Sequence, residues 1–182
     1  MNLFVMLGYI VAVNWFCLTV VWLVSVKIKD ASIIDIYWGI GFIVMAWACL
    51  LINLMHNPTS VSLSQWLINF MVTIWGFRLS LHLAVRNLGK GEDYRYVAMR
   101  KKSALDFRIF SYFRIFMFQG LLQIIVIAPI LAMHYYPQEL GLGTFNYLGL
   151  AIWGIGFAYE TLADVQLVNF RSNPINQNAV LN

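Results

Sequence analysis

From Leu3 to Val26 the chain carries no Asp, Glu, Lys or Arg, and this stretch limits the fold more than any other feature. At about 1.5 Å per residue, a helix of that length crosses the roughly 30 Å of hydrocarbon in a bilayer. In that medium every backbone polar group has to be satisfied internally, which leaves helices or closed barrels. A signal peptide places basic residues ahead of a shorter apolar run and small residues at a cleavage site. Here Lys27 and Lys29 come after the run, so it reads as a retained first span. Four more apolar segments follow, at Ile33 to Met55, about Leu63 to Leu83, roughly Tyr112 to Tyr135 and about Phe145 to Val168. Asn57 and Pro58 break the helix after the second. Pro137, Gly141 and Gly143 mark the turn after the fourth. Only 11% of the residues are charged and 61% are hydrophobic, against about 25% charged in soluble domains, so one soluble core is excluded. The expected fold class is all-α: a polytopic membrane helix bundle of about five transmembrane helices, with residues 1–182 as a single integral membrane domain.

The basic residues orient these spans. Lys27 and Lys29 fall in the first turn, Arg86, Lys90, Arg95, Arg100, Lys101, Lys102 and Arg108 in the third, and Arg171 in the tail. The N-terminus and the second and fourth turns have none. Loops rich in Lys and Arg stay cytoplasmic, which predicts an outer N-terminus and a cytoplasmic C-terminus. The same pattern suits a bacterial inner membrane and an endoplasmic reticulum membrane. Membrane lipids are the expected partners, since a basic loop at the bilayer surface attracts anionic headgroups; nucleic acid is not expected. Cys17 and Cys49 lie within apolar runs, where cysteine acts as a small hydrophobe. No Cys or His spacing suggests a metal site.

Ionisable groups inside the spans are the candidates for chemistry, because each costs about 2.5 to 3.5 kcal/mol to insert. Arg78, His82 and Arg86 recur at i, i+4, i+8 and so share one helical stripe. An arginine at the membrane edge can simply snorkel to the headgroups, but snorkelling does not require three polar groups in line. In the fifth span Glu160 and Asp164 are four residues apart, and Arg171 lies roughly 20° from the same meridian at 100° per residue. These carboxylates are expected to face the bundle interior, with Arg78 as counter-ion. Two readings stay open. One is an ion-pair staple that only holds helices together; the other is a polar cavity open to the cytoplasm, where arginines bind phosphates and carboxylates accept from hydroxyl or amide groups. Gly89 and Gly91 flank Lys90 in a GKGED run, a weak anion-loop signal by itself. Asp35, Trp38, Gly39 and Phe42 form a close-packing face with a carboxylate at its mouth. His56 and His134 read as outer interfacial residues.

Three blocks, DIYWGIGF in the second span, WGFRLSLHLAVRNLGKGEDYRY across the third span and loop, and ADVQLVNFRSNPINQ near the end, resemble one family. It comprises the bacterial and eukaryotic membrane proteins of unknown function grouped with the steroid 5α-reductases. Their superfamily also holds sterol reductases and isoprenylcysteine carboxyl methyltransferases, and the resemblance covers most of the chain. It implies a helical membrane bundle with a cytosol-facing cofactor cavity, NADPH as cofactor, and hydride transfer to an activated double bond of a lipid or steroid-like substrate. It also implies cofactor contacts for Arg78, Asp164 and Arg171. Glu160 matches an asparagine near the nicotinamide end of the steroid reductases, and His82 a tyrosine. With Arg86 these form the expected cofactor-binding set.

Two departures from the family pattern stand out. The tyrosine that donates to a substrate ketone falls at Trp75 here, and indole cannot supply a proton; His82 and Tyr96 are the candidate substitutes. The family's Gly-Leu-Trp-Arg-Tyr and Arg-His-Pro-Asn-Tyr block should begin where the sequence ends, at Leu181 and Asn182. The chain is therefore expected to be the N-terminal part of a longer family domain, a fragment with half of its dinucleotide site and without activity as it stands. The alternatives are a noncatalytic membrane protein with structural ion pairs and an S-adenosylmethionine-dependent methyltransferase of the same superfamily.

Overall fold

A computed structural model of the chain describes residues 2–56, 59, 61–87, 89–136 and 139–172. Asn57, Pro58 and Pro137, the expected helix breakers, and the tail from 173, with Leu181 and Asn182, lie outside the described residues. Among the described residues every regular element is helical and none is a strand. They are α1 (Leu3–Ile28), α2 (Ile33–His56), α3 (Leu63–Asn87), α4 (Tyr94–Lys102), α5 (Phe107–Ser111), a π-helical segment (Tyr112–Met117), α6 (Phe118–Tyr135) and α7 (Thr144–Ser172). Among the described residues five helical stretches are long and apolar enough to cross a membrane: α1, α2, α3, the run Phe107–Tyr135, and α7. The all-helical expectation is borne out, and the chain is an integral, multi-pass membrane protein in contact with membrane lipids.

Two compact units make up the chain, Met1–Gly141 and Leu142–Asn182. In the first, α2 is the central helix and packs on α1, α3 and α6. Its closest neighbour is α3, and two glycines explain the approach. A Cβ at Gly76 would sit 2.6 Å from the Gly39 carbonyl oxygen, and one at Gly39 would collide with the Gly76 carbonyl. Small residues let membrane helices meet backbone to backbone where dispersion and hydrogen bonding, rather than water exclusion, drive packing. Two apolar clusters fill this unit. Met6, Ile10, Phe42, Met45, Cys49, Ile127 and Leu131 form the first; Leu18, Ala31, Ile34, Tyr96, Ile115 and Phe116 form the second, at the end carrying the basic residues.

The long polar loop between the third and fourth spans is more ordered than its composition suggests. The repeated sequence Asp-x-Arg organises it: Asp93 caps α4 by accepting from the Arg95 backbone N–H at 2.9 Å, and Asp106 caps α5 through Arg108 N–H, also at 2.9 Å. Each arginine then returns its guanidinium to the same carboxylate. N-caps of this kind satisfy donors that the first helical turn leaves orphaned. The fourth span accordingly starts at Phe107, five residues before the sequence boundary, and passes through the π-helical segment, where the Tyr112 hydroxyl reaches Thr19 Oγ1 at 3.3 Å.

Among the described residues the second unit is built on α7, a helix with no fully buried residue. Asn146 closes its first turn, its side-chain oxygen accepting from Gly143 N–H at 2.8 Å. Trp153 and Phe157 stack one turn apart with centroids at 5.0 Å.

Candidate functional site

Along the last turns of α3, Arg78, His82 and Arg86 are each half-buried, whereas Phe77, Leu81 and Val85 on the adjoining flank are exposed. The expected stripe therefore exists as a face turned away from the lipid-exposed flank of its helix. Arg86 Nε donates to Asn87 Oδ1 at 3.1 Å. Just beyond, Gly89 and Gly91 take φ values of 79° and 80°, in the left-handed region that only glycine enters without strain. Their role in GKGED is thus to turn the chain so that Glu92 and Asp93 meet the bundle.

Those two acidic residues begin a set of ties. Glu92 Oε1 accepts from the Ala31 backbone N–H at 2.9 Å and from Arg100 Nη2 at 2.7 Å, while Oε2 accepts from Arg100 Nε at 3.1 Å. This carboxylate, with 9% of its side chain exposed, joins the α1–α2 turn to α4. The Arg100 guanidinium lies 3.9 Å from the centre of the Phe107 ring, within cation–π range. Asp35, at the start of α2, accepts from Arg95 Nη2 and from the Tyr96 hydroxyl, both at 2.7 Å. The hydrogen bond from Arg95 holds Asp93 below the usual carboxylate range. Burial first, and the bond to Asp35 second, push the Tyr96 phenol well above its usual value.

Other sequence candidates fall as follows. Tyr96 is buried and its hydroxyl donates to Asp35, and His82 stays on the α3 stripe. Trp75 packs edge to face on Phe42 at 5.7 Å, inside the first apolar cluster. On α7, Glu160 and Asp164 lie one turn apart on one face and are half-buried, and Arg171 is exposed at the helix end. Among the described residues no group of three metal-ligating side chains forms.

One expectation is corrected. His134 is not an interfacial residue but a buried one. Its Nε2 accepts from Asn69 Nδ2 at 2.9 Å, and its carbonyl accepts from Asn53 at 2.6 Å. Gln65 donates to the Met133 carbonyl at 3.2 Å. The last turn of α6 therefore packs against α2 and α3, where a buried imidazole needs a protein partner. Gln65 and Asn69 at i, i+4 in the third span were the available signal. His56 remains exposed.

Residues 21–182 match the family described as "Protein of unknown function (DUF1295)". Over 151 residues the chain is 30% identical to an uncharacterized protein of Schizosaccharomyces pombe, an alignment covering 81% of this chain and 43% of that relative. The chain thus spans less than half the length of the curated relative it matches. No solved structure matches it.

Proposed function

The chain belongs to the DUF1295 family of proteins of unknown function, and from that premise we propose that it is a membrane-embedded NADPH-dependent oxidoreductase of the steroid 5α-reductase-like type. Its substrate is a lipid or steroid-like molecule with an activated double bond. The observation that carries this reading is the alignment of Arg78, His82 and Arg86 on one half-buried face of α3. Consecutive members are four residues apart, about 6 Å along the axis, so three donors follow one line through the membrane edge. That donor set fits a dinucleotide. Guanidinium groups match phosphate oxygens in charge and fork geometry, and shielding from water raises the worth of each such bond.

In this reading Arg78 and Arg86 bind phosphate oxygens. NADPH, when bound, supplies the hydride. His82 holds the proton for the reacting bond, a task for which Tyr96 is poorly placed because its hydroxyl is bonded to Asp35. Apolar side chains beside the stripe exclude water from the transfer.

Titration of the chain in lipid nanodiscs with NADPH, followed by tryptophan fluorescence, tests the reading. Arg78→Gln is expected to weaken binding by about 1.5 to 3 kcal/mol, the worth of a hydrogen bond to a charged group. Lys102→Gln leaves it unchanged. A dissociation constant that ignores Arg78→Gln rejects the reading. A noncatalytic role is favoured by one observation, that Asp35, Glu92, Arg95 and Arg100 already tie helices together. It predicts that Arg78→Gln lowers thermal stability in a protein that never binds NADPH.

A further inference from the structure

Where α1 ends and α5 begins, the first unit has a cleft of about 310 Å³. Among its walls are Ser25 and Lys29 from the end of α1, Arg100 from α4, and Phe107, Arg108 and Ser111 from the start of the fourth span. None of these belongs to the α3 stripe or to α7. All sit at the end of the bundle that the basic residues mark as cytoplasmic, at the depth where helices leave the hydrocarbon.

The chemistry of the walls is specific. Arg100 uses Nε and Nη2 on Glu92, and Arg108 uses Nε and Nη2 on Asp106. Among the described residues the Nη1 group of each guanidinium has no bond, and Lys29 has no ion pair. Both arginines are held in place before any ligand arrives, Arg100 by Glu92 and the Phe107 ring and Arg108 by its own capping aspartate. Little side-chain freedom remains to be lost on binding. Since each guanidinium is already balanced by a carboxylate, the surplus charge at the cleft is that of Lys29, about one unit. A phosphodiester, with one negative charge, matches that surplus better than a phosphomonoester or a polyphosphate.

The hydroxyls contribute a different preference. Ser25 Oγ donates to the Trp22 carbonyl at 2.7 Å, and Ser111 Oγ donates to the Arg108 carbonyl at 3.0 Å. With their protons engaged, both offer lone pairs and accept from a ligand's hydroxyl groups. Ile28 and Ile109, next in sequence to the wall residues Lys29 and Arg108, and Leu105, two before Phe107, are exposed; a soluble ligand does not use them and an acyl chain does. Basic pockets between membrane helices on the cytoplasmic side are a recurrent lipid headgroup site.

We propose that this cleft binds one lipid through a phosphodiester headgroup bearing hydroxyl groups, with Lys29, Arg100 and Arg108 on the phosphate and Ser25 and Ser111 on the hydroxyls. Bound there, the lipid joins α1, α4 and α5 at a point where Trp22 Nε1 already donates to the Arg108 carbonyl at 3.1 Å.

Native mass spectrometry of the chain, released from micelles doped with phosphatidylglycerol or phosphatidylcholine, tests the site. A single phosphatidylglycerol adduct is expected in preference to phosphatidylcholine. Lys29→Gln and Arg108→Gln should each weaken retention about five- to tenfold, as loss of one partly screened charge-assisted contact does. Lys90→Gln removes the same charge from the glycine turn outside the cleft and should leave the adduct unchanged. Equal loss in Lys90→Gln means diffuse attraction and overturns the proposal, as does the absence of a discrete adduct. Displacement by glycerophosphoglycerol or inorganic phosphate at concentrations comparable to the lipid shows a site for soluble phosphates and overturns the lipid assignment. If Arg108→Gln unfolds in a thermal melt, Lys29→Gln decides alone, because Lys29 holds no ion pair among the described residues.

Discussion

Where α2 finishes and α3 begins, the Met1–Gly141 bundle is joined by neutral groups: Asn69 to His134, Asn53 to the His134 carbonyl, and Gln65 to the Met133 carbonyl. At the opposite end carboxylates do the joining, Asp35 to Arg95 and Tyr96, and Glu92 to Arg100 and Ala31. The difference follows from what each end can reach. At the neutral end the partners are buried, and a full charge there would cost more to desolvate than one hydrogen bond returns. At the charged end Arg95 keeps 48% of its side chain exposed, so water shares the cost of the ion and the carboxylate can tie a polar loop to the bundle. A membrane helix bundle can thus use amides where it is dry and ions where it is wet, with the same geometric precision at both ends.

Gly76→Ile strikes between the two ends and should have the largest effect. Its side chain would enter space held by the Gly39 carbonyl and by Ile43, and overpacking of that kind costs about 3 kcal/mol. The measurement is the unfolding midpoint in detergent. A variant as stable as the parent would show that the α2–α3 contact is not what holds the ends in register.

Tyr96→Phe breaks the charged end alone, at about 1.5 kcal/mol for a hydrogen bond to a carboxylate that retains Arg95. It also sharpens the comparison through pH. The folded Tyr96 phenol titrates above its unfolded value of about 10. The stability it contributes is therefore fully present below that pH and is lost as pH rises from there towards the folded value. The parent should lose more stability above roughly pH 10 than Tyr96→Phe does; parallel curves would show that the bond to Asp35 carries no stability.

His134→Ala tests the neutral end and should have the smallest effect, about 0.6 kcal/mol, the average for hydrogen bonds between membrane helices. Added salt should leave that loss unchanged, since no ion is involved, whereas it should reduce the loss in Tyr96→Phe. Equal salt dependence at both ends would remove the distinction between them.

Much of the candidate site was legible in the order of residues. The i, i+4, i+8 spacing places Arg78, His82 and Arg86 on one face, and Glu160 with Asp164 likewise, because a helix repeats every 3.6 residues whatever it packs against. The role of the loop was not legible. Its seven basic residues looked like a diffuse surface for headgroups, yet Arg95 and Arg100 are committed to Asp35 and Glu92 across 60 and 8 residues. Pairings at such separations leave no periodic trace. Gly89 and Gly91 were equally ambiguous, since an anion-cradling loop and a left-handed turn require the same residue.

By itself the sequence determined that this protein crosses a membrane as helices, how many apolar spans it has and which end of each carries the basic residues. Those properties depend on chain length, hydropathy and the need to satisfy each peptide group locally. Only the tertiary structure decided which polar groups meet. His134 became a core partner of Asn69 instead of an interfacial side chain, and Tyr96 became a tie to Asp35. Such choices depend on contacts between residues distant in sequence, where a few tenths of an ångström at Gly39 and Gly76 decide how closely two helices approach and so which side chains come within bonding distance.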